Sequence, residues 1–256
     1  MKTAAEVYQG GVACAAPPEV ASAKTLVVIP TYNERENIES LIRELLVQPL
    51  SLSVLVVDDG SPDGTGEIVE RLARESSNVL VLHRAGKLGI GSAYLEGFRY
   101  GLAHGYDFIM TMDADFSHDP KRVLALVNAM AETDVAIGSR YRNGGAIRQW
   151  PWSRKVLSRG ANVLAKVWLG LKANDCTAGF RCYRRDVLAS LKLEEIRSQG
   201  YSCLVELLFE CQAHGWRTAE VPIVFIDRQF GKTKISQWEV YRGMWTLLRL
   251  GSKRWR

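Results

Sequence analysis

Residues 108–120 read FIMTMDADFSHDP, an apolar run followed at once by a cluster of acidic side chains. The apolar part, residues 108–112, predicts a buried β-strand. Asp113 and Asp115 then follow two residues apart, and residues i and i+2 of an extended backbone project from the same face. Two close carboxylates repel each other unless a cation lies between them. The stretch therefore predicts a metal site at the carboxyl end of a strand.

The acidic pair suits a hard divalent cation. Oxygen ligands select Mg²⁺ or Mn²⁺, and such an ion usually keeps some water ligands and binds substrate phosphates. The alternative interpretation is a helix cap, because Asp119 before Pro120 has the order of an N-cap followed by proline at the first helical position. A cap explains Asp119 but leaves Asp113 and Asp115 unexplained, so the surrounding chain must decide.

Strand and helix patterns alternate along the first half of the chain. Short β-branched or apolar runs predict strands at residues 25–29, 54–57, 79–82, 108–112 and 135–137, with amphipathic stretches between them. This alternation predicts a Rossmann-like, doubly wound, mainly parallel sheet of the α/β class. Ligands of such sheets bind beyond the carboxyl ends of the strands. Polar, acidic loops occur there at 30–36, 58–65 and 113–119, and together they predict one binding site.

The composition is typical of a soluble globular protein, with 47% hydrophobic and 24% charged residues among 256. The net charge of +5 favours anionic partners such as nucleic acid, anionic lipid or phosphate-bearing substrates. Five cysteines without a Cys-x-x-Cys pair predict reduced thiols in a cytoplasmic protein. No apolar run approaches the roughly 18 residues of a membrane span. Residues 1–24 are rich in Ala, Gly and Pro and predict a disordered tail.

The second half of the chain is dense in arginine, glycine and tryptophan. Five arginines fall within 20 residues: Arg140, Arg142, Arg148, Arg154 and Arg159. A single arginine there predicts only a solvated basic surface. A cluster beside an acidic metal site predicts phosphate binding, because the guanidinium group makes paired hydrogen bonds to phosphate oxygens. A strand predicted at residues 221–227 closes the domain and leads into a basic turn at 228–234.

Residues 236–256 predict an amphipathic, basic C-terminal helix. Its apolar side carries Trp238, Tyr241, Met244, Trp245, Leu247 and Leu248, and its positive charges include Arg249, Lys253, Arg254 and Arg256. Such a composition is typical of a helix that lies at a membrane surface. The alternative is a helix docked on the domain with its basic residues in water, and the sequence leaves both interpretations open.

Together these stretches resemble glycosyltransferase family 2, of GT-A fold, and within it the dolichol- or polyprenol-phosphate mannosyltransferases. The resemblance is carried by PTYNERENI, VVDDGSPDGT, MDADFSHDP, GSRY…GG…W…SRKVLSRGAN and VPIVFIDRQFGKTKIS, in family order over about residues 25–236. It implies a single GT-A catalytic domain at residues 25–235. The tail, residues 1–24, would precede this domain, and the helix, residues 236–256, would follow it.

The resemblance assigns roles to residues of the predicted donor site. Those that would contact the nucleotide are Pro30, Tyr32, Glu34, Val57, Asp59 and Ala114. Asp113 and Asp115 would hold Mg²⁺ or Mn²⁺ on the diphosphate. Ser117 is a third candidate ligand, at a position where some members of the family carry glutamine.

Basic residues of the second half receive the remaining roles. The resemblance implies that Arg140 and Arg154 hold the lipid phosphate, with Arg140 also contributing to the donor site. Arg228 and Lys234 would face the diphosphate of the sugar nucleotide. Asp115, Arg140 and Arg154 are the residues expected to take part directly in the transfer.

The activity implied by the resemblance is transfer of mannose from GDP-mannose to dolichyl or polyprenyl phosphate, giving a β-linked product and GDP. A phosphate monoester has its second pKa near ~6, so the acceptor is largely ionised at neutral pH and no strong protein base is needed. The departing nucleoside diphosphate needs stabilisation by a metal and basic side chains. Direct displacement inverts the configuration at the anomeric carbon of the sugar. A lipid acceptor implies a cytoplasmic enzyme bound peripherally to a membrane, with a membrane subunit as a candidate partner.

Three other functions fit part of the pattern. The same fold could use UDP-glucose to make polyprenyl-phosphate glucose. An acidic pair after a buried strand, as in VVDDG, also occurs in phospho-acceptor signalling modules, but such a module would be complete within about 120 residues. A nucleic-acid binder would fit the net charge, but no recognised nucleic-acid motif is present.

Overall fold

The computed structural model describes residues 17–227 and 237–254. Within them the strands are β1 (Thr25–Thr31), β2 (Leu52–Asp58), β3 (Val79–His83), β4 (Phe108–Thr111), β5 (Val135–Ser139), β6 (Ala146–Arg148), β7 (Arg181–Arg184), β8 (Thr218–Pro222) and β9 (Val224–Ile226). The α-helices are α1 (Pro18–Ala21), α2 (Ile38–Leu46), α3 (Thr65–Glu75), α4 (Ile90–Ala103), α5 (Val123–Ala129), α6 (Trp152–Leu169), α7 (Arg185–Ser190), α8 (Ser202–Ala213) and α9 (Gln237–Arg254).

Seven strands form the central sheet of the described residues, in the order β3-β2-β1-β4-β7-β5-β8. β3, β2, β1 and β4 pair in parallel, as do β5 and β8, whereas β7 is antiparallel to both of its neighbours. The predicted α/β class with a mainly parallel sheet is therefore confirmed. The carboxyl ends of β2, β1 and β4 lie side by side at one edge, which is where ligands of such sheets bind.

Side chains of the central strands pack alternately into two cores, because successive residues of a strand point to opposite faces. Leu26 and Val28 of β1 face the core that contains α4, α6 and α8, whereas Val27 and Ile29 face the core that contains α2, α3 and α5. α4 comes so close to β1 that a Cβ at Gly97 would lie 2.3 Å from Val28. The sheet is thus covered by helices on both faces.

Two segments differ from the sequence predictions. The strand predicted at 221–227 is two strands, because Ile223 turns the chain: its N–H bonds to Ser139 at the end of β5, and its carbonyl accepts from Ala146 at the start of β6. β9 consequently pairs with β6 in a separate two-stranded sheet. Within the predicted tail, residues 18–21 form α1, where Val20 is buried, and residues 1–16 lie outside the described residues.

Candidate active site

A pocket of about 200 Å³ opens where the acidic loops after β1, β2 and β4 meet. It brings together seven residues predicted from the sequence: Pro30, Tyr32, Glu34, Asp59, Asp113, Ala114 and Asp115. The predicted convergence of the three loops is therefore present in the structure. The rest of the lining comes from residues 87–90 and 199–201, of which 199–201 were not predicted.

The acidic pair is held in place by its own partners. Asp113 Oδ1 accepts a hydrogen bond of 2.9 Å from the Tyr94 hydroxyl, and Asp115 Oδ1 accepts one of 3.1 Å from the Ser117 amide. Tyr94 is fully buried, and burial together with the charge of Asp113 raises the pKa of its phenol well above the usual value. Tyr94 therefore stays protonated and donates to Asp113 at any ordinary pH.

The donor set fits a divalent cation that is shared with a substrate. No group of three or more His, Cys, Asp or Glu side chains arranged for a metal occurs in residues 17–227 or 237–254. Mg²⁺ does not need such a cage, because it is usually held by one or two carboxylates together with water and substrate phosphates. Asp113 and Asp115 supply two carboxylates at the pocket wall, whereas Ser117 is buried and does not line the pocket.

His118 supports the same loop and had no distinguishing signal in the sequence. It is buried, stacks on Phe180 with ring centroids 5.1 Å apart, and meets Phe225 edge-on. Its Nδ1 accepts a hydrogen bond of 3.4 Å from the Asp113 amide. Burial lowers the pKa of His118, so the imidazole is neutral beside the acidic pair.

Asp59 anchors one wall of the pocket. Its Oδ1 accepts from Arg84, including a bond of 2.6 Å from Nε, and its Oδ2 accepts from the amides of Leu88 and Gly89 at 3.0 Å each. The carboxylate therefore fixes residues 88–89 in the lining of the pocket. Val57, which was also assigned to the nucleotide, is fully buried in the core and does not line the pocket.

Arg140 lies in a buried ion pair away from the pocket wall. Its Nε and Nη2 each donate to the carboxylate of Asp175 at 2.7 Å, and Nη2 also donates to Thr177 at 2.8 Å. Burial alone would lower the pKa of Arg140, but the hydrogen bonds to Asp175 and the negative charge of that carboxylate together raise it. The paired geometry expected for a lipid phosphate is used here for a carboxylate, which has the same bidentate shape.

Arg154 is placed differently from Arg140. Its Nη1 bonds to Asp227 at 3.1–3.2 Å, its guanidinium carbon lies 3.9 Å from the ring centroid of Trp150, and 25% of its side chain is exposed. The group can therefore meet a ligand from solvent. Arg228 and Lys234, expected at the donor diphosphate, lie outside the described residues.

α9 docks on the domain with one side. Arg249 pairs with Glu206 at 2.7 Å, and Lys253 pairs with Glu210 at 3.0 Å. The Leu247 carbonyl accepts a hydrogen bond from the indole N–H of Trp168 on α6. Tyr241, Met244, Trp245 and Leu248 are exposed on α9, as are Trp152, Val156, Leu157, Val163, Leu164, Val167 and Trp168 on α6. Two of the basic residues expected to face lipid thus face carboxylates instead.

The side chains of Trp238 and Arg254, and all of Arg256, lie outside the described residues. Within residues 17–227 and 237–254, no helix combines the length and the apolar character that crossing a membrane requires.

Known structures with the same fold bind nucleotides and metals. The glucosyl-3-phosphoglycerate synthase of Mycobacterium tuberculosis in complex with Mg²⁺ and uridine-diphosphate has a TM-score of 0.66 at 21% identity, over 91% of this chain and 83% of that one. The mannosyltransferase PcManGT of Pyrobaculum calidifontis in complex with GDP-Man and Mn²⁺ has a TM-score of 0.59 at 18% identity, over 92% of this chain and 67% of that one. At these identities the likeness establishes the GT-A fold.

Sequence comparison identifies the family of the chain more narrowly than the fold does. The model of glycosyl transferase family 2 matches residues 26–192. A polyprenol monophosphomannose synthase of Mycolicibacterium smegmatis is 44% identical over 230 residues, covering 89% of this chain and 87% of the relative. An undecaprenyl-phosphate mannosyltransferase of Micrococcus luteus is 44% identical over 213 residues, covering 83% and 88%. The chain therefore belongs to glycosyltransferase family 2 and, within it, to the polyprenyl-phosphate mannosyltransferases.

Proposed function

We propose that the protein transfers mannose from GDP-mannose to a polyprenyl or dolichyl phosphate, with inversion at the sugar carbon. The observation that carries the proposal is that Asp113 and Asp115 line the same pocket as Tyr32 and Asp59, which the family resemblance assigns to the nucleotide. Two carboxylates in a nucleotide-binding cleft suit a sugar nucleotide, whose diphosphate can share a cation with them. Identity of 44% to two proteins named as acting on polyprenyl phosphates supports the acceptor.

In the proposed donor site, Tyr32 and the neighbouring residues Pro30 and Glu34 take the nucleoside. The ammonium of Lys87 lies 4.7 Å from the ring centroid of Tyr32, and this contact restrains both side chains in the pocket lining. Tyr94 orients Asp113 toward the pocket. When bound, Mg²⁺ or Mn²⁺ would neutralise charge that develops on the departing diphosphate.

In the proposed acceptor site, Arg154 takes the lipid phosphate. The acceptor is a phosphate monoester that is largely ionised at neutral pH, since its second pKa is near ~6. Arg154 would exchange Asp227 for the phosphate while keeping its contact with Trp150. Arg140 would have to break its ion pair with the buried Asp175 to bind the phosphate. Its proposed role is therefore to hold the chain around residues 140 and 175 in place.

The function is tested by product formation with a panel of substrates. GDP-mannose with polyprenyl phosphate and Mg²⁺ or Mn²⁺ should give polyprenyl-phosphate mannose, and only GDP-mannose should stabilise the protein in a thermal-shift assay. UDP-glucose is the competing donor. Stabilisation by UDP-glucose, beryllofluoride or an oligonucleotide instead of GDP-mannose would favour one of the other three functions.

Replacing Arg154 by Lys should weaken use of the lipid phosphate. We expect KM for polyprenyl phosphate to rise roughly tenfold or more, because lysine lacks the planar fork and a hydrogen bond to a charged group contributes about 1.5–3 kcal/mol. GDP-mannose affinity, measured by calorimetry, should be nearly unchanged. The matched control is Arg148→Lys, at an exposed arginine of β6. A variant that loses GDP-mannose binding yet uses the lipid normally would move Arg154 to the donor site.

We also propose that the protein binds peripherally to membranes through the exposed sides of α6 and α9. The acceptor phosphate lies at the surface of a bilayer, and these neighbouring helices expose aromatic and aliphatic side chains. Because Arg249 and Lys253 are engaged with carboxylates, the apolar side chains are expected to make most of the attachment.

Changing Trp245 and Leu248 together to Ser should reduce sedimentation with anionic vesicles. Both side chains are more than half exposed, at 70% and 55%, so the change leaves the packing of α9 intact. Val47→Ser is the control, since Val47 is also an exposed apolar residue, at 78%, but follows α2. Unchanged sedimentation of the double variant would show that the enzyme reaches its lipid by another surface.

A further inference from the structure

One wall of the pocket is a loop that no sequence motif indicated. Gln199, Gly200 and Tyr201 line the pocket just before α8 begins. The loop packs tightly on the first turn of α4, where a Cβ at Gly91 would lie 3.2 Å from both the nitrogen and the oxygen of Gly200. The position of this loop therefore contributes to the shape of the pocket that also contains the acidic pair.

The loop is held from behind by a buried carboxylate. Glu206 of α8 is fully buried, and its Oε2 accepts from the amides of Ser198 at 2.8 Å and Arg197 at 3.2 Å. The guanidinium of Arg249 lies 2.7 Å from the same oxygen. A buried carboxylate without a cation is costly, so Arg249 is what makes this anchor stable.

α9 makes a second set of contacts with the same loop. Arg249 Nη2 donates to Ser198 Oγ at 2.8 Å, and Ser198 Oγ is also 3.0 Å from Thr246 Oγ1. Ser198 and Thr246 are both buried. Ser198 immediately precedes the pocket-lining residues, so the inner side of α9 is connected to the pocket wall through one residue.

We infer that Arg249 is a positioning residue for the donor pocket, fixing residues 197–201 through Glu206 and Ser198, so that seating of α9 on the domain sets donor affinity. The identity of the donor rests on the function proposed above, whereas the mechanical link does not. α9 presents its other side to solvent, so a helix proposed to meet the membrane also holds a wall of the donor site.

A second ion pair between the same two helices provides the matched control. Lys253 and Glu210 are 3.0 Å apart, and Lys253 lies one turn beyond Arg249 on α9. This pair also joins a basic residue of α9 to a glutamate of α8, in a more exposed part of the same helix interface, and it does not bond to residues 197–201. If α9 only docks on the domain, loss of either pair should loosen α9 without a specific effect on residues 197–201.

The test compares Arg249→Gln with Lys253→Gln in the full chain without lipid. Amide hydrogen exchange at residues 197–201 should be about tenfold faster in Arg249→Gln, on the scale of one lost charge-assisted hydrogen bond. The Kd for GDP-mannose with Mg²⁺ should rise by a similar factor, while KM for polyprenyl phosphate stays unchanged. Lys253→Gln should match wild type in all three measurements.

Thr246→Val covers the case in which Arg249→Gln does not fold. It is nearly isosteric, keeps the Arg249–Glu206 pair and removes the hydrogen bond to Ser198 Oγ, so it should speed exchange at 197–201 to a smaller degree. If both variants fold, exchange at residues 197–201 as slow as in the wild type in both of them overturns the inference. If Arg249→Gln is unfolded, the same result in Thr246→Val alone overturns it. Exchange is measured without nucleotide, so a wild type that fails to bind GDP-mannose would overturn the proposed donor and leave this result standing.

Discussion

Asp115→Asn should abolish sugar transfer while leaving the fold intact. The change keeps the shape of the side chain and its hydrogen bond from the Ser117 amide, but it removes one of the two carboxylate charges of the Asp113–Asp115 pair in the pocket lining. We expect turnover to fall by at least about 100-fold, the scale on which removal of one stabilising group acts in other enzymes. Asp113→Asn should behave alike, since its carboxylate is oriented from the same pocket wall by Tyr94.

The measurement is turnover with GDP-mannose at saturating Mg²⁺ and Mn²⁺, alongside thermal unfolding to confirm that the variants are folded. Asp119→Asn is the control, because Asp119 caps the following turn by accepting from the Lys121 amide and lies outside the pocket. Near wild-type turnover of both pocket variants would refute the assignment of the metal site to Asp113 and Asp115.

Asp175→Ala should cause the largest loss of stability among the changes considered. It leaves the guanidinium of Arg140 buried with Thr177 as its remaining side-chain hydrogen-bond partner. Removal of one member of a buried pair typically destabilises a protein by about 3–5 kcal/mol, because the other charge stays uncompensated. The free energy of unfolding from urea titration measures the effect. Loss of the exposed Lys192–Glu195 pair, by Lys192→Gln, should change it little.

The same pair predicts a dependence on pH. Burial would raise the pKa of Asp175, but the hydrogen bonds and the positive charge of Arg140 together hold the pKa below the usual value of 3.8. The folded-state pKa is thus lower than the unfolded one, so the stabilisation is present above the unfolded value and is lost as pH falls below it. A small loss of stability in Asp175→Ala, combined with tighter acceptor binding, would instead return Arg140 to the acceptor site.

The parallel strands and the acidic pair could be predicted from sequence because each signal is local. An apolar run such as residues 108–112 needs no distant partner to be recognised, and Asp113 and Asp115 follow it directly. β7 could not be predicted, because its buried Cys182 and Tyr183 stand between arginines that normally indicate a surface. Arg181 is fully buried there and donates to backbone carbonyls, including those of Cys176 and Leu204.

The contacts that could not be predicted are those between residues distant in sequence. Arg84 reaches Asp59 across 25 residues, and Arg249 reaches Glu206 from the last helix. The guanidinium fork fits a carboxylate as well as a phosphate, so residue type alone could not decide between Asp175 and a lipid phosphate for Arg140. The charge pattern of α9 was equally unable to show which arginine faces inward.

The antiparallel strand β7 determines when the sheet can be completed during synthesis. β4 and β5 are joined only through β7, so in the described residues the half containing β1–β4 has no direct strand pairing with β5 and β8. Until residue 184 has left the ribosome, β4 presents an unpaired edge to its surroundings, and such edges favour pairing with other chains. A stalled nascent chain whose emerged part ends between residues 139 and 181 should therefore carry an aggregation-prone half-sheet, whereas one that has emerged beyond residue 227 should not.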